Sequence, residues 1–89
     1  MSETTWFITG ASSGLGYALA EHVLQKGERV VAGARTIGPM NALARRYPDR
    51  ALAVELDVTK ADQRASAVQR CEDRFGSLDV LVKNAAVDV

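Results

Sequence analysis

Trp6-Phe7-Ile8-Thr9-Gly10-Ala11-Ser12-Ser13-Gly14-Leu15-Gly16 is the stretch that decides how the chain is read. A short apolar run feeds a glycine-rich turn, and the turn opens an amphipathic helix. A mononucleotide-binding β-α unit begins in this way. The glycines at Gly10, Gly14 and Gly16 are spaced Gly-x3-Gly-x-Gly, not the commoner Gly-x-Gly-x-x-Gly. Gly10 permits a tight turn off the strand, where a Cβ clashes. Gly14 lets the backbone approach a pyrophosphate, and Gly16 lets the helix lie close on the sheet. The first N–H groups of a helix have no partners within it, and the macrodipole makes that end positive. An anionic diphosphate is the natural ligand. Ser12 and Ser13 can donate to phosphate or cap the helix.

Outward from this stretch, Thr5 to Thr9 reads as a buried strand and Gly14 to Lys26 as a helix. Leu15, Ala18, Leu19 and Val23 recur there at helical spacing, and Gly27 supplies a stop. Arg29 to Ala34 is a second strand, in which Gly33 marks a close backbone approach. Gly38-Pro39 starts a short helix with Met40, Leu43, Ala44 and Tyr47 on one apolar face, and Pro48 ends it. Ala51 to Leu56 is a third strand, followed by Asp57-Val58. Thr59, with Asp62 three residues on, reads as a variant capping box. The helix it opens carries Ala61, Ala65, Val68, Cys71 or Glu72, and Phe75 and stops at Gly76; Leu78 to Val82 is a fourth strand. The order β-α-β-α-β-α-β with short connections predicts an α/β fold, a three-layer, doubly wound parallel sheet with right-handed crossovers. The expected strand order is 3-2-1-4, with a ligand crevice between the first and fourth strands.

At 89 residues the chain is one domain at most, 1–89, and small for a domain. Its 47% apolar and 25% charged content reads as globular, not disordered. A net charge of zero argues against a nucleic-acid or membrane surface. The lone cysteine, Cys71, allows no intrachain disulfide, which fits a reducing cytosol. No apolar run approaches a membrane span. Met1-Ser2-Glu3-Thr4-Thr5 lacks the basic region of a signal peptide, so the expected location is cytoplasmic.

Three of these motifs, in order and on the right elements, closely resemble the N-terminal part of the short-chain dehydrogenase/reductase family. Its pattern Thr-Gly-x3-Gly-x-Gly is matched by Thr9, Gly10, Gly14 and Gly16. Asp57-Val58 matches the family's Asp-Val after the third strand, where the resemblance implies that the acid contacts adenine. Phe75-Gly76-Ser77-Leu78-Asp79-Val80-Leu81-Val82 resembles the approach to the family's fourth strand. The resemblance covers essentially the whole chain and implies a Rossmann-like nicotinamide dinucleotide site. Its residues would be Gly10, Ser12, Ser13, Gly14, Leu15, Gly16, Arg35, Asp57, Val58, Asn84 and Ala85. One segment departs: where the family usually has Asn-Asn-Ala-Gly, the chain has Lys83-Asn84-Ala85-Ala86. Ala86 puts a methyl group where glycine is usual, and Lys83 replaces a neutral amide with a flexible cation.

NAD-binding folds carry an acid at the end of the second strand that accepts from the adenine ribose hydroxyls. Here that place is Ala34, followed by Arg35. No carboxylate repels a 2′-phosphate there, and an arginine can bind one through charge-assisted hydrogen bonds. The expected cofactor is therefore NADP(H) over NAD(H). The family's catalytic group is a Ser, a Tyr-x3-Lys pair and a further Asn beyond the fourth strand. Neither tyrosine here supplies the pair, because Tyr17 is followed at the fourth position by Glu21 and Tyr47 by Ala51. Tyr17 reads as a helix-surface residue and Tyr47 as the end of an apolar stripe. With one histidine, His22, there is no metal cluster, and Cys71 beside Val68 and Phe75 reads as a packed thiol.

The expectation is an NADP(H)-binding portion of an oxidoreductase acting on carbonyl or alcohol groups, inactive as 89 residues alone. The alternative is a non-enzymatic nucleotide binder or self-assembling minimal module. The third helix shields only part of one sheet face, so an apolar patch and an open strand edge predict self-association.

Overall fold

The computed structural model describes residues 4–12 and 14–84. Strands β1 (Thr5–Thr9), β2 (Arg29–Ala34), β3 (Ala51–Glu55) and β4 (Val80–Lys83) alternate with helices α1 (Gly14–Gln25), α2 (Gly38–Arg46) and α3 (Ala61–Phe75). The sheet is parallel throughout, in the order β3-β2-β1-β4. That is the order expected from the alternation of apolar runs. Phe7 stands beside Val31 on one side and Leu81 on the other, so β1 is the buried centre of the sheet.

Side chains of a strand alternate between faces, and the two faces bury different helices. Ile8, Val30, Ala32, Ala34 and Ala51 pack with Ala20, Val23 and Leu24 of α1 and with Met40 and Leu43 of α2. Phe7, Val31, Val54 and Leu56 pack on the other face with Ala67 and Cys71 of α3. The result is three layers, with two helices on one face and one on the other.

Both long helices bury a stripe that only partly matches the one their sequence suggests, sharing Val23 in α1 and Cys71 and Phe75 in α3. Leu15 is 76% exposed and Ala18 is also exposed, whereas Gly16, Ala20, Val23 and Leu24 face the sheet. Tyr17 is half-buried against the core, more deeply set than a surface residue. In α3 the buried line is Ala67, Cys71 and Phe75 at i, i+4, i+8 spacing, while Ala61 and Ala65 are exposed. Val68, 38% exposed, lies to one side of that line. Thr59 does not cap α3. Lys60 occupies the cap position without a side-chain cap bond, and Thr59 is drawn instead to Asp57.

The start of α2 and the stop of α3 behave as the sequence predicts. Pro39 occupies the first turn of α2, and the Gly76 amide donates to the Glu72 carbonyl from a left-handed conformation. Gly33 has a steric role, but toward side chains and not backbone: a Cβ there would lie 3.0 Å from Leu56 Cδ2 and 3.3 Å from Phe7 Cε1. β4 is tied to β1 by Asp79, whose amide donates to the Thr5 carbonyl at 2.9 Å. Its carboxylate accepts the Thr5 N–H at 2.8 Å. Strand pairing accordingly begins at Val80, two residues later than the apolar run suggests.

Because α3 packs toward β2 and β3, the face of β4 beyond Phe7 stays uncovered among the described residues, with Leu81 exposed while Phe7 is buried. A cavity of about 510 Å³ lies there, walled by Phe7, Leu56, Val58, Val68 and Leu81, with Thr9, Arg64 and Lys83 supplying its polar groups.

Candidate functional site

Parallel strands deliver their C-terminal ends to one edge of the sheet, and every described candidate residue lies along that edge. The strand order reverses between β1 and β4, with α1 leaving β1 toward one face and α3 preceding β4 on the other. The turn after Thr9 opens at this switch point.

Gly10 has φ +64°, a left-handed conformation that glycine adopts without a Cβ penalty. The chain then turns so that the Ala11 amide donates to the Gly33 carbonyl at 3.0 Å, fastening the turn to the end of β2. Ala11 is fully buried. Ser12, Gly14 and Leu15 lie outward and exposed. No heavy atom lies within 4 Å of the place a Cβ would take on Gly14. Gly16 is the opposite case. A Cβ there would overlap the Asn84 side-chain amide and lie 2.7 Å from the Gly10 carbonyl oxygen. The first glycine therefore shapes the turn, the second leaves its outer side open, and the third lets α1 approach the turn and β4.

Asn84 ties the end of β4 to this turn. Its amide N–H donates to Thr9 Oγ1 at 3.1 Å, and its side-chain Nδ2 donates to the Gly10 carbonyl at 3.3 Å. The Thr9 hydroxyl in turn donates to the Val82 carbonyl at 3.3 Å. Thr9 is thus a site residue that strand patterning alone does not single out. Lys83 follows Leu81 on the α3 side and pairs in register with Thr9. It is exposed at the end of the open cavity.

At the far end of the edge, Ala34 is buried in the core and Arg35 is exposed just beyond it. Across from them, Leu56 N–H donates to the Ala34 carbonyl at 2.9 Å, which places Asp57 and Val58 beside the end of β2. The Asp57 carboxylate accepts the Thr59 hydroxyl at 2.7 Å and the Thr59 amide at 3.0 Å. These bonds, the hydroxyl's first, hold the Asp57 carboxyl below the usual aspartate value, and the positive charges of Arg35 and Lys60 add to the effect. Asp57 is therefore ionised at neutral pH. Its contribution to stability is present above the unfolded aspartate value and is lost as pH falls through the lowered folded value. The Asp57 amide donates to Gln63 Oε1 at 2.8 Å. Sequence reading missed Thr59 and Gln63 as site residues. The signal was there in Asp57-Val58-Thr59, because an aspartate readily bonds the backbone two residues on.

The structure therefore gathers Gly10, Ser12, Gly14, Leu15, Gly16, Arg35, Asp57, Val58 and Asn84 along one sheet edge. Ser13, Ala85 and Ala86 lie outside the described residues. Exposed amides and glycine at the helix start, a cation at one end and an ionised carboxylate beside it form a set that fits a dinucleotide. Among the described residues there is no cluster of His, Cys, Asp or Glu able to hold a metal. No helix there is long and apolar enough to cross a membrane. His22 is exposed on α1. Cys71 is fully buried with its thiol donating toward the Ser77 carbonyl at 3.5 Å. Burial, and then the Glu72 charge, push its pKa up, so it remains a protonated packing group.

Comparisons with known proteins agree with this geometry. Oxidoreductase BOA17 of Botryotinia fuckeliana is 42% identical over 81 residues, covering 90% of this chain and 30% of its own. A short-chain dehydrogenase from Streptomyces avermitilis superposes with a TM-score of 0.84 at 40% identity, over 90% of this chain and 30% of that one. A 3-ketoacyl-(acyl-carrier-protein) reductase from Brucella melitensis, solved with NADH, superposes with a TM-score of 0.82 at 33% identity, over 88% of this chain and 32% of that one. The chain thus spans about a third of the length of these relatives. A family model described as short chain dehydrogenase matches residues 4–89. With its strand order, its glycine turn and this match together, the chain belongs to the short-chain dehydrogenase family.

Proposed function

We propose that residues 1–89 are the dinucleotide-binding domain of an NADP(H)-dependent oxidoreductase acting on carbonyl or alcohol groups. The observation that carries this reading is the placement of Arg35 on the same sheet edge as the glycine turn, with the buried Ala34 and not an acid as the last residue of β2. Ser12 and the backbone of Gly14, Leu15 and Gly16 hold the diphosphate. Arg35 holds the 2′-phosphate, Asp57 and Val58 receive the adenine, and Asn84, with Ser13 and Ala85, completes the site near the ribose and turn. The bound nicotinamide supplies or accepts hydride. Membership of the family does not choose the cofactor, since the Brucella melitensis reductase was solved with NADH. The choice rests on Ala34 and Arg35.

These 89 residues contain no Tyr-x3-Lys, so the chain on its own binds the cofactor without turning over a substrate. Fluorescence titration with NADPH and NADH, followed by a panel of carbonyl substrates, tests both statements. NADPH is expected to bind more tightly and no substrate to be reduced. Equal or tighter NADH binding overturns the cofactor assignment, and turnover overturns the inactivity. The alternative of a nucleotide-binding module without catalysis draws on Lys83, which departs from the family pattern at the end of β4.

The uncovered face of β4, with Leu81 50% exposed, supports self-association of the 89-residue chain through that face or the β4 edge. Light scattering at micromolar concentration is expected to report a species larger than a monomer, and a well-folded monomer overturns this. Its lone, buried cysteine and zero net charge fit a cytoplasmic location.

A further inference from the structure

We propose that Thr59 and Gln63 are positioning residues that aim Asp57 at the exocyclic amine of adenine, and so set the base selectivity of the site. The inference rests on the dinucleotide reading above and adds to it a recognition device that lies outside the glycine turn.

The geometry is a clamp on most of the polar groups of one residue. Both hydrogen bonds from Thr59 fall on the same carboxylate oxygen, Oδ1, at 2.7 Å and 3.0 Å. The Asp57 N–H donates to Gln63 Oε1 at 2.8 Å, and the Asp57 carbonyl accepts the Lys60 N–H at 3.0 Å. Rotating the carboxylate breaks two bonds, and shifting the backbone breaks two more. Oδ2 takes no hydrogen bond among the described residues. An ionised carboxylate has only acceptor capacity. Oδ2 therefore suits a donor, and adenine offers one in its exocyclic amine. Hypoxanthine carries a carbonyl oxygen at that position and would bring an acceptor against an acceptor. Arg35 from the end of β2 and Lys60 ahead of α3 are the charges that act on the carboxylate, and both favour its ionised form.

Free rotation of Asp57 would let it turn toward Arg35 or into solvent and lose this discrimination. Thr59 and Gln63 touch neither the phosphates nor the nicotinamide in this reading, so their removal should alter the choice of base more than the affinity for the dinucleotide as a whole.

The test measures the affinity of the 89-residue chain for NADPH and for its hypoxanthine analogue. The wild type is expected to prefer the adenine form by about tenfold, the scale of one hydrogen bond to a charged group. Asp57→Ala removes the preference. Thr59→Val and Gln63→Leu each reduce it by several fold while the chain stays folded and still binds the adenine form, and Thr59→Ser restores it. A Thr59→Val chain that keeps the wild-type selectivity while binding both forms more weakly overturns the proposal, because threonine then only supports the fold. Equal wild-type affinity for the two forms also overturns it while leaving the dinucleotide reading standing. A wild type that binds neither form overturns the dinucleotide reading, and this inference with it.

Discussion

Gly16→Ala is expected to lower stability by about 1–2 kcal/mol and to abolish dinucleotide binding, although alanine is the better helix former. Alanine in place of glycine gains about 1 kcal/mol inside a helix. Against that gain stands the space the methyl group would need. It would overlap the Asn84 amide, lie 2.7 Å from the Gly10 carbonyl oxygen and lie 3.1 Å from Ala11 Cα. Two of these three atoms are backbone and cannot swing aside. Forcing extra carbon into a packed site costs about 1–3 kcal/mol, and the backbone contacts put this case at the upper end. For a chain of this size the unfolding midpoint should fall by roughly 4–16 °C. The same displacement opens the Asn84 bond to Gly10 and moves the turn proposed to hold the diphosphate. Gly14→Ala is the paired control. Its methyl group meets nothing within 4 Å, so the midpoint should hold while binding falls, because the methyl group projects where a phosphate would approach. Thermal unfolding and NADPH titration of both variants check this. Equal stability of the two would rule out the packing argument.

Arg35→Ala is expected to weaken NADPH binding by about ten- to a hundredfold, the worth of a charge-assisted hydrogen bond of about 1.5–3 kcal/mol, and to leave NADH affinity unchanged. Arg35 is exposed at the end of β2, and the residue before it is the buried Ala34 and not the acid that would hold ribose hydroxyls, while the nearby Asp57 carboxylate is held by Thr59. Arg35→Lys should recover part of the loss. It keeps the charge and loses the planar fork that grips phosphate through two bonds. Titration of each variant with both cofactors separates a specific contact from a general field. If Arg35→Ala weakens NADPH and NADH equally, the arginine acts only as a positive charge near the site, and the assignment to the 2′-phosphate fails. Raising ionic strength should weaken NADPH binding to the wild type more than to the alanine variant.

Strand order and helix positions could be read from the sequence because each depends on a local signal repeated along the chain. β1, β2 and β3 are unbroken apolar runs, and Gly27, Pro48 and Gly76 punctuate the helices between them. The helix faces could not be read in the same way. The spacing that includes Leu15 and Ala18 is as regular as the one that includes Gly16 and Ala20. The second is buried because the Gly10 turn brings α1 down on that side. α3 likewise buries Ala67 and Cys71 and leaves Val68 half-covered, because it packs on β2 and β3 and not over β4. In the site, glycine spacing identified the turn, and Asp57 was visible as a motif. The groups that fix Asp57 were hidden by a competing local reading, since Thr59 fits a helix cap and an aspartate-centred turn equally well from sequence. Asn84 packing on Gly16 could not be inferred from spacing, because the two residues meet only through the pairing of β1 with β4.

That pairing has a consequence in time. The bond from the Asn84 amide to Thr9 Oγ1 spans 75 residues, and the glycine turn is made at the start of that span, before the rest of it. Contacts between distant parts of a chain form slowly, because the intervening loop must close before they reward it. At roughly 5–20 residues per second, synthesis leaves the turn waiting roughly 4–15 s for the residue that fastens it. α1 and β2 have already been made by then. During that interval the chain holds its glycine turn without the contact that ties it to β4, so arrival of β4 is the event that fixes the turn's shape.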